Sequence, residues 1–464
     1  MQSIHTRGLR RFIGDRAFYR TTASIVVPII IQNTVSNVVS LLDNVMVGQV
    51  GTLEMSAVAI INQLMFVFNL CIFGGLAGPG IFSTQYVGAG DTEGVRACFR
   101  LKLWLGLIMG AAAIGIFTLM PGQLISIYLT ESGDDATRVM SSARDYLAVM
   151  VAGLIPFGLT TSYAMTLREN GETRLPMVAS VTAICVNLVG NWLLIFGNLG
   201  CPVMGVTGAA VATVVSRFVE LAIIVIASHR RSDRFLFVKG LYRTMRVPAQ
   251  LLKKVAIKGG PLLVNEFLWS SGLAAILACY SLRGITPIAA SNIASTVNNL
   301  FNVVFLSMGN AVSIMVGQAL GARENEKAKD LAWKLMATTF LSAVVMGLLM
   351  LLIAPLIPQI YNTTEEVRSM ATDLLRILAV FMPVFSIGHV CYFTLRAGGR
   401  TMITFFFDCV FTWAGNYLCA YILVHFTALD VVTVYACVQC MDILKDIIGV
   451  VLVKKGIWIR NIVA

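Results

Sequence analysis

Twelve apolar runs, each long enough to cross a bilayer as a helix, divide this chain of 464 residues. A helix rises 1.5 Å per residue, so about 20 apolar residues span the hydrocarbon core. Backbone polar groups in lipid must be satisfied within the segment, which predicts an all-α membrane protein. The predicted spans occupy residues 20–47, 55–85, 97–119, 142–165, 176–197, 205–227, 252–281, 288–318, 332–355, 371–394, 402–425 and 431–453.

The composition excludes an ordinary soluble domain. Hydrophobic residues make up 57% of the chain and charged residues 13%, whereas soluble domains carry about 25% charge. The net charge of +11 does not indicate nucleic acid, because the basic residues lie in loops on one side. The first apolar run is too long for a cleavable signal peptide and leads into further helices. Most cysteines fall in apolar segments, with Cys201 alone in an outer loop, so no disulfide framework is expected.

The distribution of lysine and arginine predicts the orientation. With the N-terminus inside, 28 of the 35 basic residues lie in inner segments and four in outer loops. Both termini are therefore expected in the cytoplasm. The predicted regions are a cytoplasmic N-terminus over 1–19, a first six-helix lobe over 20–227, a basic cytoplasmic linker over 228–251, a second six-helix lobe over 252–453 and a cytoplasmic C-terminus over 454–464.

The two lobes are an internal repeat. At one constant spacing, Pro28 matches Pro261, Phe68-Asn69 matches Phe301-Asn302, and Gln85-x-x-Gly88-Ala89 matches Gln318-x-x-Gly321-Ala322. Further on, Thr166-Leu167-Arg168 matches Thr394-Leu395-Arg396 and Gly190-Asn191 matches Gly415-Asn416. Because six is an even number, both halves enter the membrane the same way. This predicts a pseudo-two-fold axis along the membrane normal, and two such bundles suit alternating access.

Glu266 is an acid within an apolar helix. Lys258, eight residues earlier, should mark the membrane surface, which places the carboxylate about 12 Å deep. A carboxylate there costs at least ~2.5 kcal/mol and is tolerated mainly beside a cavity or a partner. Glu266 is therefore a candidate coupling residue, with Asn265 as a plausible local neighbour. The alternative is a structural acid tied to a backbone or hydroxyl group.

Polar residues of the first lobe form a second candidate site. Asp43 is the only acid of span 1, and Asn187 and Asn191 lie four residues apart on one helix face. Their amide groups could hold Asp43 or coordinate a cation. The alternatives are a solvated carboxylate at a helix end and ordinary interhelical hydrogen bonds.

Other charged and metal-like patterns are interpreted as structural. Arg217 with Glu220, and Asp442 with Lys445 and Asp446, can each neutralise their charges locally on one helix. Cys437-x-x-Cys440 has no second ligand pair nearby, so no metal site is predicted. Neither a nucleophile–base pair nor a sizeable water-exposed domain indicates an enzyme.

Five motifs give the chain a family resemblance. They are the Pro-rich first span ending in Asp43, Gln85–Asp91 after span 2, Leu167–Thr173 after span 4, Asn187–Gly197 with Gly205–Thr213, and Pro261–Glu266 of span 7. Together, over about residues 20–455, they resemble the multidrug and toxic compound extrusion (MATE) family. The resemblance implies a V-shaped pair of six-helix lobes and the cation-coupled export of amphipathic, often cationic compounds.

The resemblance also implies roles for particular residues. Asp43 matches the family's coupling aspartate, and Thr213 matches a hydroxyl of span 6. Some relatives have an aspartate where this chain has Asn191. The lack of that charge weakens a sodium site here, because the binding of hard cations depends on the charge of the ligands. Where sodium-coupled relatives place an aspartate in span 10, this chain has Ser386, His389 and Tyr392 as possible proton or substrate contacts. His389 could carry a proton or could be structural. Protons are therefore favoured over sodium ions.

The sequence thus predicts a multidrug efflux antiporter of the bacterial cytoplasmic membrane, not an enzyme. Its partners would be membrane lipid and small drug or toxin molecules, with no cofactor, no metal and no nucleic acid, and the protein would be a monomer. The coupling residues would be Asp43, Asn187, Asn191, Thr213 and Glu266. The alternatives are an exporter of lipid-linked precursors or metabolites from the same superfamily and, less favoured, an integral-membrane enzyme.

Overall fold

The computed structural model describes residues 12–129, 133–361 and 363–463. Twelve long helices occur in these ranges. In chain order they are α1 Arg16–Gly48, α2 Thr52–Ala89, α3 Thr92–Leu119, α4 Gly133–Glu169, α5 Arg174–Phe196, α6 Gly205–Arg230, α7 Ala249–Ser281, α8 Ile285–Gly321, α9 Asn325–Ile353, α10 Glu365–Ala397, α11 Thr401–Phe426 and α12 Val431–Lys454. The described ranges contain no strand, so the predicted all-helical fold is confirmed.

Eleven of the twelve helices are long and apolar enough to cross a membrane. The remaining helix, α12, has 24 residues but carries Asp442, Lys445 and Asp446 near its middle. Its length suffices for a crossing at 1.5 Å per residue. The charges of α12 therefore need partners within the protein, and those partners are described below.

The internal repeat is visible in the helices themselves. Helices α1 and α7 both have 33 residues, α2 and α8 have 38 and 37, and α3 and α9 have 28 and 29. A short helix with a proline in its first turn follows α3 at Pro121–Ser126 and follows α9 at Ile357–Ile360. Proline is common at that position because the first N–H groups of a helix have no intrahelical acceptor, so the missing N–H of proline costs nothing there. The repeat thus extends from sequence motifs to element lengths and connections.

One difference separates the repeats. Helix α5 is a regular α-helix, whereas α11 contains π-helical segments at Phe406–Val410 and Thr412–Tyr417. Such wide turns are rare and occur often at functional sites. They place Asp408 and Asn416 within irregular turns of α11.

The chain forms two compact units. Among the described residues, the N-terminal unit contains 31–83, 91–129 and 133–256, and the C-terminal unit contains 12–30, 84–90, 257–361 and 363–463. The C-terminal unit thus includes the first half of α1, because Phe18, Ile25 and Ile29 belong to a buried cluster with residues of α8 and α10. The linker predicted over 228–251 is part of the N-terminal unit. There Arg96 and Arg100 of α3 donate to the carbonyls of Leu236 and Leu241.

Two repeat-related glycines lie against backbone in the C-terminal unit. A Cβ added at Gly88 would fall 1.9 Å from the Gln318 carbonyl oxygen. A Cβ added at Gly321 would fall 1.9 Å from the Gln85 carbonyl oxygen. The contact is reciprocal, because Gln85 and Gly88 are the repeat equivalents of Gln318 and Gly321. Only glycine permits so close an approach of the ends of α2 and α8.

The segment after α12 joins this contact. Gln85 Nε2 donates to the carbonyls of Ala397 and Arg460 at 3.0 and 3.1 Å, and its Oε1 accepts from Ile462 N at 2.8 Å. Asn461 Nδ2 donates to the carbonyls of Leu320 and Gly321, both at 3.1 Å. Asn461, which follows α12, therefore binds carbonyl groups at the end of α8, while Gln85 of α2 binds the carbonyl group of Ala397 at the end of α10.

Candidate functional site

The predicted residues of the first lobe meet around Asp43, which is half-buried on α1. Asn191 Nδ2 donates to Asp43 Oδ1 at 2.7 Å. In the amide orientation that satisfies all its neighbours, Asn187 donates to Oδ1 and Oδ2 of Asp43 at 3.2 and 3.1 Å. The oxygen of that amide accepts from Thr213 Oγ1 at 3.1 Å. Four residues from α1, α5 and α6 thus form one hydrogen-bonded group.

Small residues bring α5 and α6 close enough for this group to form. A Cβ added at Gly190 would lie 2.8 Å from the Ala212 side chain, and one added at Gly208 would lie 2.6 Å from the Leu194 carbonyl oxygen. Asn187 and Asn191 are one turn apart and are 7% and 1% exposed. Because bulk water does not reach such buried amides, they need hydrogen-bond partners inside the protein.

Asn191 offers one unused acceptor. Its Oδ1 is buried and has no hydrogen-bond partner among the residues that the structure describes. Its Nδ2, by contrast, is bound to the carboxylate of Asp43. The group can therefore hold an ionised carboxylate through two amide donors, and it also contains a buried oxygen that could accept a hydrogen bond.

The charged residues near this group are paired elsewhere. Arg217 and Glu220 form the predicted local ion pair on α6, at 3.6 Å, and the arginine lies over the Phe157 ring. Lys102 of α3 is completely buried and forms an ion pair with Glu169 at the end of α4. Neither Lys102 nor Glu169 was among the candidate residues predicted from the sequence, so this pair was missed.

Glu266 lies on α7 in the C-terminal unit and is partly buried. Arg396 of α10 and Asp408 of α11 are its charged neighbours. Asn265 does not serve as the local partner of Glu266, contrary to the sequence-based expectation. Its Nδ2 donates instead to Asp408 Oδ2 at 3.1 Å and to Tyr392 Oη at 3.5 Å. Adjacent residues of a helix point about 100° apart, which explains the difference.

Among the predicted span 10 residues, Tyr392 alone reaches this group through a side-chain hydrogen bond that the structure records. Ser386 Oγ donates to the Pro383 carbonyl at 2.7 Å, and His389 Nδ1 lies 3.0 Å from the Phe385 carbonyl oxygen. Both bonds stay within α10. His389 is nevertheless close enough to Asp408 and Lys445 for their charges to act on it.

The main surprise of the C-terminal unit is an ion pair between α11 and α12. Lys445 Nζ lies 2.8 Å from Asp408 Oδ1. Asn416 Nδ2 donates to Asp442 Oδ1 at 3.3 Å. The interpretation that Asp442, Lys445 and Asp446 balance one another on α12 is therefore incomplete, because the salt bridge of Lys445 crosses to α11 while the charges of Asp442 and Asp446 also act on it.

A repeat signal in the sequence could have pointed to this group. Asn416 is the repeat equivalent of Asn191, and each asparagine donates to a carboxylate on another helix. In the first lobe that carboxylate comes from α1, whereas in the second it comes from α12. The match of the asparagines was visible in the sequence, but the change of helix was not.

The helices, their repeat and their buried charges together define a polytopic membrane transporter. The MatE family model matches residues 28–193 and 261–422. The chain therefore belongs to the MatE family.

Relatives and solved structures agree with this assignment. The chain is 23% identical over 434 residues to the probable multidrug resistance protein NorM of Thermotoga maritima, covering 93% of this chain and 91% of the relative. A MOP superfamily transporter from Pyrococcus furiosus superposes with a TM-score of 0.84 at 22% identity, covering 97% of each chain. The MATE transporter VcmN of Vibrio cholerae gives 0.86 at 18% identity, covering 96% of this chain and 98% of VcmN. At these identities the structural likeness shows the fold alone.

Proposed function

We propose that this protein exports drugs and toxins from bacterial cells by cation-coupled antiport, with protons favoured over sodium ions. The observation that carries the proposal is the group in which Asp43 accepts hydrogen bonds from Asn187 and Asn191. The substrate class is supported by relatives such as the probable multidrug resistance protein NorM. Amphipathic, often cationic compounds are the expected substrates.

The group around Asp43 suits a proton carrier. When Asp43 is ionised, both amide nitrogens donate to it. When Asp43 takes up a proton, its hydroxyl becomes a donor and needs an acceptor. A rotation of the Asn191 amide would present its Oδ1, which has no described partner. A proton can drive a conformational change only if the two conformations bind it with different affinity. We expect this hydrogen-bond exchange to supply that difference.

The geometry favours a proton over a sodium ion at this group. A hard cation needs several oxygen ligands pointing at one place. Here the amide nitrogens of Asn187 and Asn191 point at the carboxylate, and Asp43 supplies the only charge among the four residues. A proton needs only one carboxylate that can exchange it. Glu266 is proposed as the second coupling residue, in the second lobe.

Transport by reconstituted protein tests the proposal. The purified chain is placed in lipid vesicles, and movement of the cationic dye ethidium is followed by fluorescence after imposing a pH gradient or a sodium gradient. We expect transport in sodium-free buffer under the pH gradient, and its loss on adding a protonophore. Strict dependence on sodium at fixed pH would overturn the choice of ion. Absence of dye transport under either gradient, together with movement of lipid-linked precursors, would favour the alternative exporter.

The proposed location is the bacterial cytoplasmic membrane with both ends of the chain in the cytoplasm. The excess of basic residues on one side supports this orientation. Cysteines introduced singly at Lys239 and at Arg138, in a Cys201→Ser background that removes the native outer-loop thiol, provide a test with a membrane-impermeant thiol reagent. In intact cells the reagent should label the position at Arg138 and not the position at Lys239.

A further inference from the structure

The group formed by α11 and α12 contains more charge than the proposed proton carriers require. Asp408 forms an ion pair with the ammonium group of Lys445, and Asp442 and Asp446 are close enough for their charges to act on it as well. Lys445 and Asp408 have side chains only 17% and 18% exposed. Burying an ion pair costs desolvation energy that its mutual attraction often does not recover. The pair is therefore expected to have a functional role in addition to any effect on stability.

Oxygen atoms line this group without being used as acceptors. Asn265 Oδ1, Asn416 Oδ1 and Asp446 Oδ2 are buried and have no hydrogen-bond partner among the described residues. Asn265 and Asp446 are 1% and 7% exposed as whole residues, so bulk water does not satisfy them. The amide nitrogens of the two asparagines are already bound to Asp408 and Asp442. An arrangement of carboxylate and amide oxygens is the kind that hard cations prefer.

The lysine is particular to the second repeat. At the spacing that matches Asn191 with Asn416, Lys445 corresponds to Glu220 and Asp408 corresponds to Ala183. In the N-terminal unit, Glu220 carries the opposite charge and pairs locally with Arg217. The first repeat therefore has neither the carboxylate of α11 nor the ammonium of α12. The two charges occur together or not at all, which indicates that they act as a pair.

We propose that Lys445 is a tethered cation that fills an alkali-cation site in the second lobe. Its ammonium group takes the place of a diffusible ion beside Asp408. Asn265 and Asn416 now donate to Asp408 and Asp442, and rotation of their amides would turn the unpartnered oxygens toward a cation that replaced the ammonium. Sodium ions have no access to these oxygens while the ammonium remains. Removal of the ammonium exposes a site of several oxygens that accepts Na⁺. The proposal refines the proposed proton coupling, but its test needs no transport.

Thermal unfolding of the purified full chain in detergent tests the proposal. Tm is measured in sodium chloride and in choline chloride at equal ionic strength. The wild-type Tm should be the same in both salts. Lys445→Ala should unfold at a lower temperature in choline and regain about 2 °C or more in sodium, saturably, because an ion that binds only the folded state raises Tm. Lys445→Arg keeps the charge and should not respond to sodium.

Two further results decide the matter. The double variant Asp408→Asn/Lys445→Ala removes both charges, and it should be folded and insensitive to sodium. If Lys445→Ala alone does not fold, the double variant still tests the pairing, because it leaves no unpaired charge at Asp408. A folded Lys445→Ala protein with equal Tm in both salts would overturn the proposal, as would a wild-type protein that responds to sodium as strongly as the variant. Failure of the double variant to fold would also overturn it.

Transport separates this inference from the proposed function. In vesicles, wild-type ethidium transport should be equal with and without sodium, whereas Lys445→Ala should gain a sodium-stimulated component. If ethidium is not transported by any form, the proposed function fails while the Tm result still decides the role of Lys445. If transport is proton-driven but Lys445→Ala shows no sodium response in Tm, the inference fails and the proposed function stands.

Discussion

Lys102 of α3 and Glu169 of α4 form an ion pair in which the lysine side chain is completely buried. Thr166 Oγ1 accepts a second hydrogen bond from the ammonium at 3.2 Å. The pair therefore joins two helices of the N-terminal unit in a place that bulk water does not reach. Its value to the protein depends on both charges being present.

Removing one partner should be more harmful than removing both. Lys102→Met leaves Glu169 buried without its counter-charge, and such a loss costs about 3–5 kcal/mol. Lys102→Met/Glu169→Gln has no charge to compensate and should recover much of that stability. Thermal unfolding in detergent measures the difference. A double variant as unstable as Lys102→Met would show that the charges do not depend on each other.

Glu266→Gln should abolish or strongly reduce coupled efflux while expression stays normal. Glutamine keeps the volume of the side chain and most of its hydrogen bonding but cannot exchange a proton. Efflux across an imposed pH gradient is the measurement, with the amount of protein in the membrane as the control. Export at the wild-type rate would remove Glu266 from the coupling mechanism.

Asp43→Asn should be inactive, whereas Asn187→Ala and Asn191→Ala should be milder. The aspartate supplies the group that titrates, and loss of an amide donor shifts the affinity of that group without removing it. The same efflux assay compares the three variants. Near-wild-type transport in all of them would contradict a coupling site in the first lobe.

Gly321→Ala should destabilise the protein because its new Cβ would lie 1.9 Å from the Gln85 carbonyl oxygen. Backbone must move to relieve that contact, and overpacking of this kind costs about 1–3 kcal/mol. Gly115→Ala is the matched control, since a Cβ added to this helical glycine of α3 meets nothing within 4 Å. Tm in detergent should fall for Gly321→Ala and stay close to wild type for Gly115→Ala.

The helices could be predicted from sequence because lipid leaves the backbone few alternatives. Apolar runs long enough to span had to be helical, and the predicted spans differ from the observed helices mainly at their ends. The group around Asp43 was also within reach. Asn187 and Asn191 share a helix face by their spacing alone, Asp43 was their expected partner as the only acid of span 1, and the family resemblance added Thr213.

The second lobe was harder because its contacts cross between helices. The spacing of Asp442 and Lys445 suggested local neutralisation, but a salt bridge to Asp408 needs knowledge of how α11 packs on α12. The π-helical turns of α11 also change the directions of Asp408 and Asn416 relative to a regular helix. No sequence pattern predicted these turns. Asn265 was assigned to its sequence neighbour Glu266, although adjacent residues of a helix point in different directions.

The bonds between Gln85 and the residues after α12 bear on how the protein is made. Asn461 donates to the carbonyl groups of Leu320 and Gly321 at the end of α8, and Ile462 N donates to Gln85 Oε1. Since Asn461 and Ile462 follow the twelfth span, these hydrogen bonds cannot form until synthesis has passed the whole membrane domain. A nascent chain that stopped after α12 would have every span and still lack the final step of assembly.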